Sequence, residues 1–340
     1  MSILDRTPAW VPRAARKILP ARLVDFARDR IVGRFYRSIS MVSREPRVVV
    51  WFRRVVLRRK PVLYHFEVHI TDHCNLNCKG CAHFSNLCKP RFADLAEFES
   101  DMNHMASLFS AVRQIYLLGG EPLLHPQVAE FIRVARKEFP KTRIYLMTNG
   151  TLVTRMKEDF WNALAETGVI LLCDSYPIGL PVDEIDRLGR EHGVSVEWTE
   201  PRKEFFKIPI DPEGGHDVVS SFRRCQGFNN CPIIRDGRLY PCAYAAFADV
   251  FRERFEIEGL RPTEADSVSI RDAADPEKVM QFLHNPIPWC GYCDMDSREF
   301  YEWGRSERKV EEWASSDVSG AVARASCSSE DSSVRRRPAV

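Results

Sequence analysis

The chain has 340 residues, 44% of them hydrophobic, enough for one large domain with appendages. Lys and Arg number 49 against 47 Asp and Glu, so the formal net charge is only +2 and the molecule does not act through bulk charge. No apolar run reaches the roughly 18 residues that span a bilayer, so no segment reads as a membrane span. In chain order, residues 13–60 come first, with fifteen Arg or Lys against three acidic residues. Arg is mixed there with Val, Ile, Leu, Phe and Trp, and 1–62 is expected as a basic helical segment. Such a segment binds anionic lipid, each basic residue near the surface contributing about 1 kcal/mol. It would equally attract phosphate-linked substrates or RNA. The alternative, a solvated helix face packed on the next domain, stays open.

Leu63–Ile70 then reads as a strand, with Phe66, Val68 and Ile70 on one face and His65, Glu67 and His69 on the other. Apolar residues from Phe92 through Leu95, Phe98, Met102, Met105 and Phe109 to Val112 recur at helical spacing. Ile115–Leu118 is a short strand running into Gly119-Gly120-Glu121-Pro122. A second helix covers Val128–Ala135, and Arg143–Met147 is a third strand ending in Thr148-Asn149-Gly150. A helix around Phe160, Trp161 and Leu164 leads to a fourth strand, Val169–Cys173. Val182–His192 is helical and stops at Gly193, and Val194–Trp198 is a fifth strand. Strands alternating with helices imply a parallel sheet with right-handed crossovers, and Phe205–Ile210 is the candidate for a sixth strand. Ile233–Tyr240 reads as a hairpin turning at Asp236-Gly237.

Eleven cysteines with no secretory signal pattern are expected as reduced thiols and metal ligands in a cytosol. Cys74, Cys78 and Cys81 in the run CNLNCKGC are the sharpest signal. Three close thiolates can hold three irons of a [4Fe-4S] cluster and leave the fourth open. The run leaves the carboxyl end of the first strand, where parallel α/β folds place their chemistry. Structural zinc, completed by Cys88 or His83, is the alternative. Downstream, Cys225, Cys231, Cys242, Cys290 and Cys293 form a second group around the hairpin and a tight CxxC, again suited to a metal. Cys88, Cys173 and Cys327 are weaker signals, each read first as a bystander thiol. Cys173, at a strand end facing the barrel mouth, is kept as a hydrogen-atom donor, and Cys327 lies in a Ser-rich tail expected to be disordered.

CNLNCKGC together with Gly119-Gly120-Glu121-Pro122 resembles the radical S-adenosylmethionine (SAM) superfamily, over roughly Leu63–Phe222. The resemblance implies a partial (β/α)6 TIM-like barrel, an α/β fold. It further implies that the open iron binds the amino and carboxylate groups of SAM and that Gly119, Gly120, Glu121 and Pro122 contact its amino group. An electron from the cluster then cleaves the sulfonium to a 5′-deoxyadenosyl radical, which takes a substrate hydrogen. Polar residues at the next strand ends, Thr148, Asn149, Asp174 and Ser175, would contact the SAM carboxylate and ribose. A plain Asn149-Gly150 turn and an Asp174-Ser175 helix cap are the alternatives. One departure is Gly80, where the family often has an aromatic residue; Phe84 or His83 would supply the adenine contact.

The second cysteine group resembles the SPASM and shorter Twitch extensions, through Gly237, four residues and Cys242, with Cys225 upstream and CxxC downstream. One auxiliary [4Fe-4S] cluster on Cys225, Cys242, Cys290 and Cys293 is expected, with Cys231 competing for the place of Cys225 and zinc as the alternative. Four thiolates leave no vacant iron, so this cluster would relay electrons. The expected organisation is therefore a basic segment at 1–62, a barrel core at 63–222, a small auxiliary-cluster domain at 223–300, and a helix and disordered tail at 301–340. Glu67 and His69 would line the barrel interior and contact substrate. The leading expectation is oxidation or rearrangement of a carbohydrate, or of a lipid-linked or nucleotide-linked sugar, with an electron donor such as flavodoxin or ferredoxin. Modification of a ribosomal peptide comes second, weakened by the lack of a winged-helix pattern. A third class is a non-catalytic zinc or iron-sulfur protein with a basic arm. A cytoplasmic protein, in peripheral membrane contact through 1–62, is expected, and nucleic acid is not an expected partner.

Overall fold

The computed structural model describes residues 46–201, 204–225 and 231–315. Most of the basic segment, Cys327 and the Ser-rich tail lie outside these residues. The described part of the basic segment is a helix α1, Arg47–Trp51, continued by a wide turn Phe52–Val56, and none of its residues is buried. Its Val48, Trp51, Phe52 and Val55 are exposed, while Val50 and Arg53 border Val62 and Met280 and Arg54 pairs with Glu277 at 3.4 Å. Among the described residues no helix is long and apolar enough to cross a membrane.

The strand β1, Val62–Thr71, alternates as its sequence requires: Phe66, Val68 and Ile70 enter the main core, and His65, Glu67 and His69 take the opposite face. Helix α2, Leu95–Leu108, begins at Asp94, whose carboxylate accepts the Glu97 N–H at 2.9 Å, and it ends earlier than its periodicity suggests. Phe109 is already extended and Val112 lies in β2, Ala111–Gly119, because pairing with β1 starts at Val62 and Ala111. Phe92 lies outside the helix too, in an isolated bridge to Thr71. The strand ladder overrides the helical spacing at both ends. The chain continues through α3 (Val128–Glu138), β3 (Arg143–Thr148), α4 (Glu158–Thr167), β4 (Ile170–Cys173), α5 (Val182–Glu191) and β5 (Val196–Trp198).

The sixth strand is not the expected one. Phe205–Lys207, β6, pairs antiparallel with β10, Glu299–Tyr301, in a separate two-stranded sheet. The sixth parallel strand is instead the first arm of the hairpin, β7 (Ile233–Arg235), which runs parallel to β1 with Glu67 opposite Ile233. Its second arm β8 (Arg238–Tyr240) and then β9 (Val268–Ser269) extend the sheet antiparallel, in the order β5-β4-β3-β2-β1-β7-β8-β9. The hairpin turns at Asp236 and Gly237, both with positive φ, as a tight Asp-Gly turn requires. The fold is therefore α/β with a mainly parallel sheet, a partial TIM-like barrel. The sheet crosses the expected boundary at residue 222 without interruption.

After β6 come α6 (Val218–Cys225), α7 (Ala243–Ala246), α8 (Ala248–Phe255) and α9 (Pro276–His284). They help build a second core of Phe84, Tyr244, Phe247, Phe251, Trp289 and Trp313. Residues 301–315 are not the expected helix. They form a mostly extended strap with one 3₁₀ turn at Val310–Glu312, and Trp313 at its end is fully buried against Phe84, Phe251 and Phe255. The Trp313 indole N–H also donates to the Cys81 carbonyl at 2.9 Å. Truncation of such a side chain leaves a cavity and an unpaired carbonyl. Trp313→Ala is therefore expected to lower unfolding stability by about 3–5 kcal/mol, read as a lower urea midpoint, with Trp313→Phe losing much less.

Candidate active site

The loop carrying Cys74, Cys78 and Cys81 leaves β1 at the carboxyl edge of the sheet, beside the end of β2. The two segments touch backbone to backbone. Gly120 N–H donates to the Thr71 carbonyl at 2.7 Å and Glu121 N–H to the His73 carbonyl at 3.1 Å. A Cβ on Gly119 would sit 2.2 Å from the Thr71 oxygen, and one on Gly120 would sit 2.2 Å from the His73 oxygen and 2.8 Å from the Cys74 nitrogen. Only glycine fits at either position. The three thiols interact electrostatically. Burial first, and then neighbouring Glu121, Cys81 and Cys78, push Cys74 up to about 12, and burial with Cys81 pushes Cys78 up to about 11. Burial raises Cys81 as well, opposed by N–H groups of Ser85, His83 and Phe84.

Glu121 is fully buried, and its carboxylate holds the next strand end in place. One oxygen accepts Thr148 Oγ1–H at 2.7 Å and Leu123 N–H at 3.0 Å, and the other accepts Asn149 N–H at 2.9 Å. Asn149 in turn donates from Nδ2 to Asn75 at 2.9 Å and toward Cys74 Sγ at 3.6 Å. Its Oδ1 accepts Thr151 N–H at 3.0 Å, so the Asn149-Gly150 turn and the placement over the cysteine loop coexist. Asp174 and Ser175 do not cap a helix. Ser175 bonds to Thr199 at the end of β5 through both its N–H and its hydroxyl, and Asp174 accepts from Thr199 Oγ1 at 3.1 Å. Asp174 adds its negative charge to the surroundings of Cys78 and Glu121. Thr199 has no motif of its own and was not legible as a site residue.

The other side of the loop is clamped by the strap, which sequence reasoning missed. Lys79 N–H donates to the Gly304 carbonyl at 2.9 Å, Ser306 N–H to the Asn77 carbonyl at 2.9 Å, and Trp303 Nε1–H to Cys78 Sγ at 3.3 Å. Gly80 has φ +61°, and a Cβ there would lie 2.3 Å from the Tyr301 hydroxyl. The place left by the missing aromatic residue is thus taken by Tyr301, whose ring continues a stack through Phe205 to Tyr176. Phe84 does not reach the mouth: it is fully buried, stacked on Tyr244 and packed against Phe251. His83 lies against His69 and Phe247, and burial pushes it down to about 4.

Of the expected catalytic groups, His69 is buried, with its Nε2 3.2 Å from His83 Nδ1 and its ring on Phe247. Burial, then His83 and Arg235, hold it neutral, well below the ordinary imidazole range. Glu67 is raised to about 7, chiefly by burial, against a hydrogen bond with Cys231. Cys173 does not face the mouth. Alternation places it with Leu171 in the main core, fully buried, and its charged neighbours are Glu121, Asp186 of α5 and Asp174.

Cys225, Cys242, Cys290 and Cys293 converge around the second core. Cys293 is raised well above the ordinary thiol range by burial and then by Cys225, Cys242 and Cys290. Burial raises Cys225, with Cys242 and Cys290 next. Cys242 is pushed up to about 12, although N–H groups of Ala245 and Tyr244 face it. Beyond burial, Cys231 interacts most strongly with Glu67, and only then with Cys225 and Cys242.

Residues 68–193 match the family model of the Radical SAM superfamily. These residues form a radical SAM domain. The GTP 3',8-cyclase of Chlorobaculum tepidum is 30% identical over 123 residues, 36% of this chain and 34% of that enzyme. The GTP 3',8-cyclase of Helicobacter pylori is 30% identical over 112 residues, 32% and 35% of the two chains. This chain spans about a third of the length of these relatives. Among solved structures, native anSMEcpe with bound AdoMet aligns with TM-score 0.40 and 13% identity over 69% of this chain and 89% of that one. BtrN in complex with AdoMet and 2-DOIA aligns with TM-score 0.33 and 22% identity over 40% of this chain and 56% of that one.

The donor set around the radical SAM motif fits the [4Fe-4S] cluster that the family implies. Three part-buried thiols converge, costly as thiolates without a cation, and Leu76 N–H, Asn149 Nδ2–H and Trp303 Nε1–H point at their sulfurs. Hydrogen bonds to ligand sulfur favour the more negative, reduced state of a cluster. Trp303→Phe is expected to make the midpoint potential of the reconstituted SAM-binding cluster more negative, by about 59 mV if the reduction constant falls tenfold, measured by EPR-monitored titration.

The Glu121 carboxyl is raised from 4.5 to about 7 by burial, which outweighs the hydrogen bonds from Thr148, Asn149 and Leu123. The folded chain therefore keeps a proton that the unfolded chain releases above pH 4.5, and stability contributed at this site falls as pH rises from about 4.5 through about 7. Urea midpoints across that range are expected to fall more in the wild type than in Glu121→Gln.

Proposed function

We propose that this chain is a radical SAM enzyme that cleaves SAM reductively and removes a hydrogen from a small molecule held on the barrel side of β1. The observation that supports it best is the convergence of Cys74, Cys78 and Cys81 at the end of β1, with Gly119-Gly120 and Asn149 bonded to the same loop. When bound, the cluster and SAM supply a 5′-deoxyadenosyl radical that abstracts the substrate hydrogen. The chain's own residues do the positioning. The backbone of 119–122 offers polar groups beside the open side of the thiol triad, Glu121 orients Thr148 and Asn149, and Asp174 and Ser175 flank the mouth. Glu67 and His69, on the barrel face of β1, are the groups that would meet substrate.

In this reading Cys225, Cys242, Cys290 and Cys293 hold one auxiliary [4Fe-4S] cluster, a Twitch-like arrangement, and relay the electron released on substrate oxidation. Their mutual electrostatic coupling supports that set over one containing Cys231. A carbohydrate or sugar-linked substrate leads. The partial likeness to GTP 3',8-cyclases adds a purine nucleotide to the candidates, and a ribosomal peptide is the remaining class.

Anaerobic reconstitution is expected to give about eight irons per chain, in two four-iron clusters, and reductant-dependent release of 5′-deoxyadenosine. Cys78→Ser should abolish that release. Cys242→Ser should leave about four irons and retain SAM cleavage without substrate. Zinc in place of iron, or iron without cleavage, would make the cysteine groups structural. Deuterium transfer into 5′-deoxyadenosine from labelled sugars, GTP or peptides identifies the substrate class.

A further inference from the structure

Cys231 is left over once the four auxiliary cysteines are grouped, yet it is not a stray thiol. Alternation in β1 puts His65 and Glu67 on one face, two residues apart. The Glu67 N–H donates to the Pro232 carbonyl at 2.7 Å, which holds the residue before β7 against that face. One ligand atom each from His65, Glu67 and Cys231 then lies within 4.8 Å of the other two. The His65 ring lies edge-on to Tyr64 and Tyr116, with centroids 5.8 and 6.1 Å away, which fixes its plane. His65 is 7% exposed and the other two are part-buried, so a carboxylate and a thiolate here would lie close together and poorly solvated.

We propose that His65, Glu67 and Cys231 bind one divalent cation of the zinc type, with a fourth coordination position open to the barrel interior. An imidazole, a carboxylate and a thiolate form a mixed nitrogen, oxygen and sulfur set, which suits zinc and disfavours the all-oxygen shells of magnesium and calcium. Three protein ligands rather than four is the arrangement that leaves room for a water or a substrate oxygen. A cation here would anchor a hydroxyl or carboxylate of the substrate on the barrel face of β1, and Glu67 would then act through the metal. The place of this site in a reaction rests on the radical SAM reading, but the binding of the metal does not.

The probe is zinc itself. The full chain is reconstituted anaerobically with iron and sulfide, supplied with one equivalent of zinc chloride and desalted. Metals are then counted and the zinc shell is read by X-ray absorption at the zinc edge. The expected result is one zinc per chain beside the irons, with one sulfur at about 2.3 Å and the remaining ligands nitrogen or oxygen at about 2.0–2.2 Å. Cys231→Ser and His65→Ala should each weaken zinc binding at least tenfold in chelator competition while iron content is retained. Three results would overturn the site: no zinc retained, a shell of four sulfurs, or affinity unchanged in both variants. Loss of about four irons in Cys231→Ser would likewise overturn it, by making Cys231 an auxiliary-cluster ligand. Wild-type SAM cleavage, assayed separately, reports on the radical SAM reading alone.

Discussion

Between residues 71–74 and 119–121 two stretches of backbone run closer than any side chain permits. That contact is what allows one loop to gather three thiols beside the end of β2. Both glycines have φ outside the left-handed region, so conformational freedom is not their purpose; they are there for the absence of a Cβ. Since Gly120 and Glu121 donate to Thr71 and His73, the loop's direction at Cys74 follows from the β1–β2 ladder itself. The parallel register sets the geometry of the site, and the loop has little independent choice.

What the ladder does on one side, the strap does on the other, at a separation of more than two hundred residues. Asn77, Cys78, Lys79 and Cys81 all exchange hydrogen bonds with residues 303–313, and Trp313 plugs the second core beneath them. Closing so long a loop carries an entropic cost that grows only slowly with its length, and a buried tryptophan offsets it. The site is thereby coupled to the part of the chain that carries the second cysteine group. The two groups share the second core through Phe84 on one side and Tyr240, Cys242 and Cys290 on the other.

The sequence disclosed most where a single local rule applies. Alternation in β1, the Asp236-Gly237 turn and the CNLNCKGC spacing each depend on a few adjacent residues, and the structure agrees with the first two in detail. It is least legible where partners come from afar. Phe205–Lys207 has the apolar character of a barrel strand, but it pairs with Glu299–Tyr301, which nothing in either segment specifies. Cys173 sits at a strand end, as its position along the chain suggests, yet the parity of the strand turns it toward α5 and the core. Gly80 reads as a gap in a motif until Tyr301 is seen to occupy the space. Cys225 and Cys231 look equivalent along the chain, and only the packing shows that Cys231, beyond its burial, has Glu67 as its foremost neighbour.

Burial lifts two carboxyl groups to about 7, Glu67 and Glu121, and comparing them shows why such a shift does not by itself mark chemistry. Glu121 is fully enclosed, and its oxygens are taken by Thr148, Asn149 and Leu123, all of them donors within the fold. Those bonds hold a strand end in place and take three of the carboxylate's roughly four lone-pair sites. Glu67 faces an imidazole and a thiol instead, groups that accept a cation as readily as a proton. The same desolvation therefore has opposite meanings at the two sites. In one it accompanies hydrogen bonds that hold a strand end, and in the other it accompanies the close approach of His65 and Cys231 to Glu67.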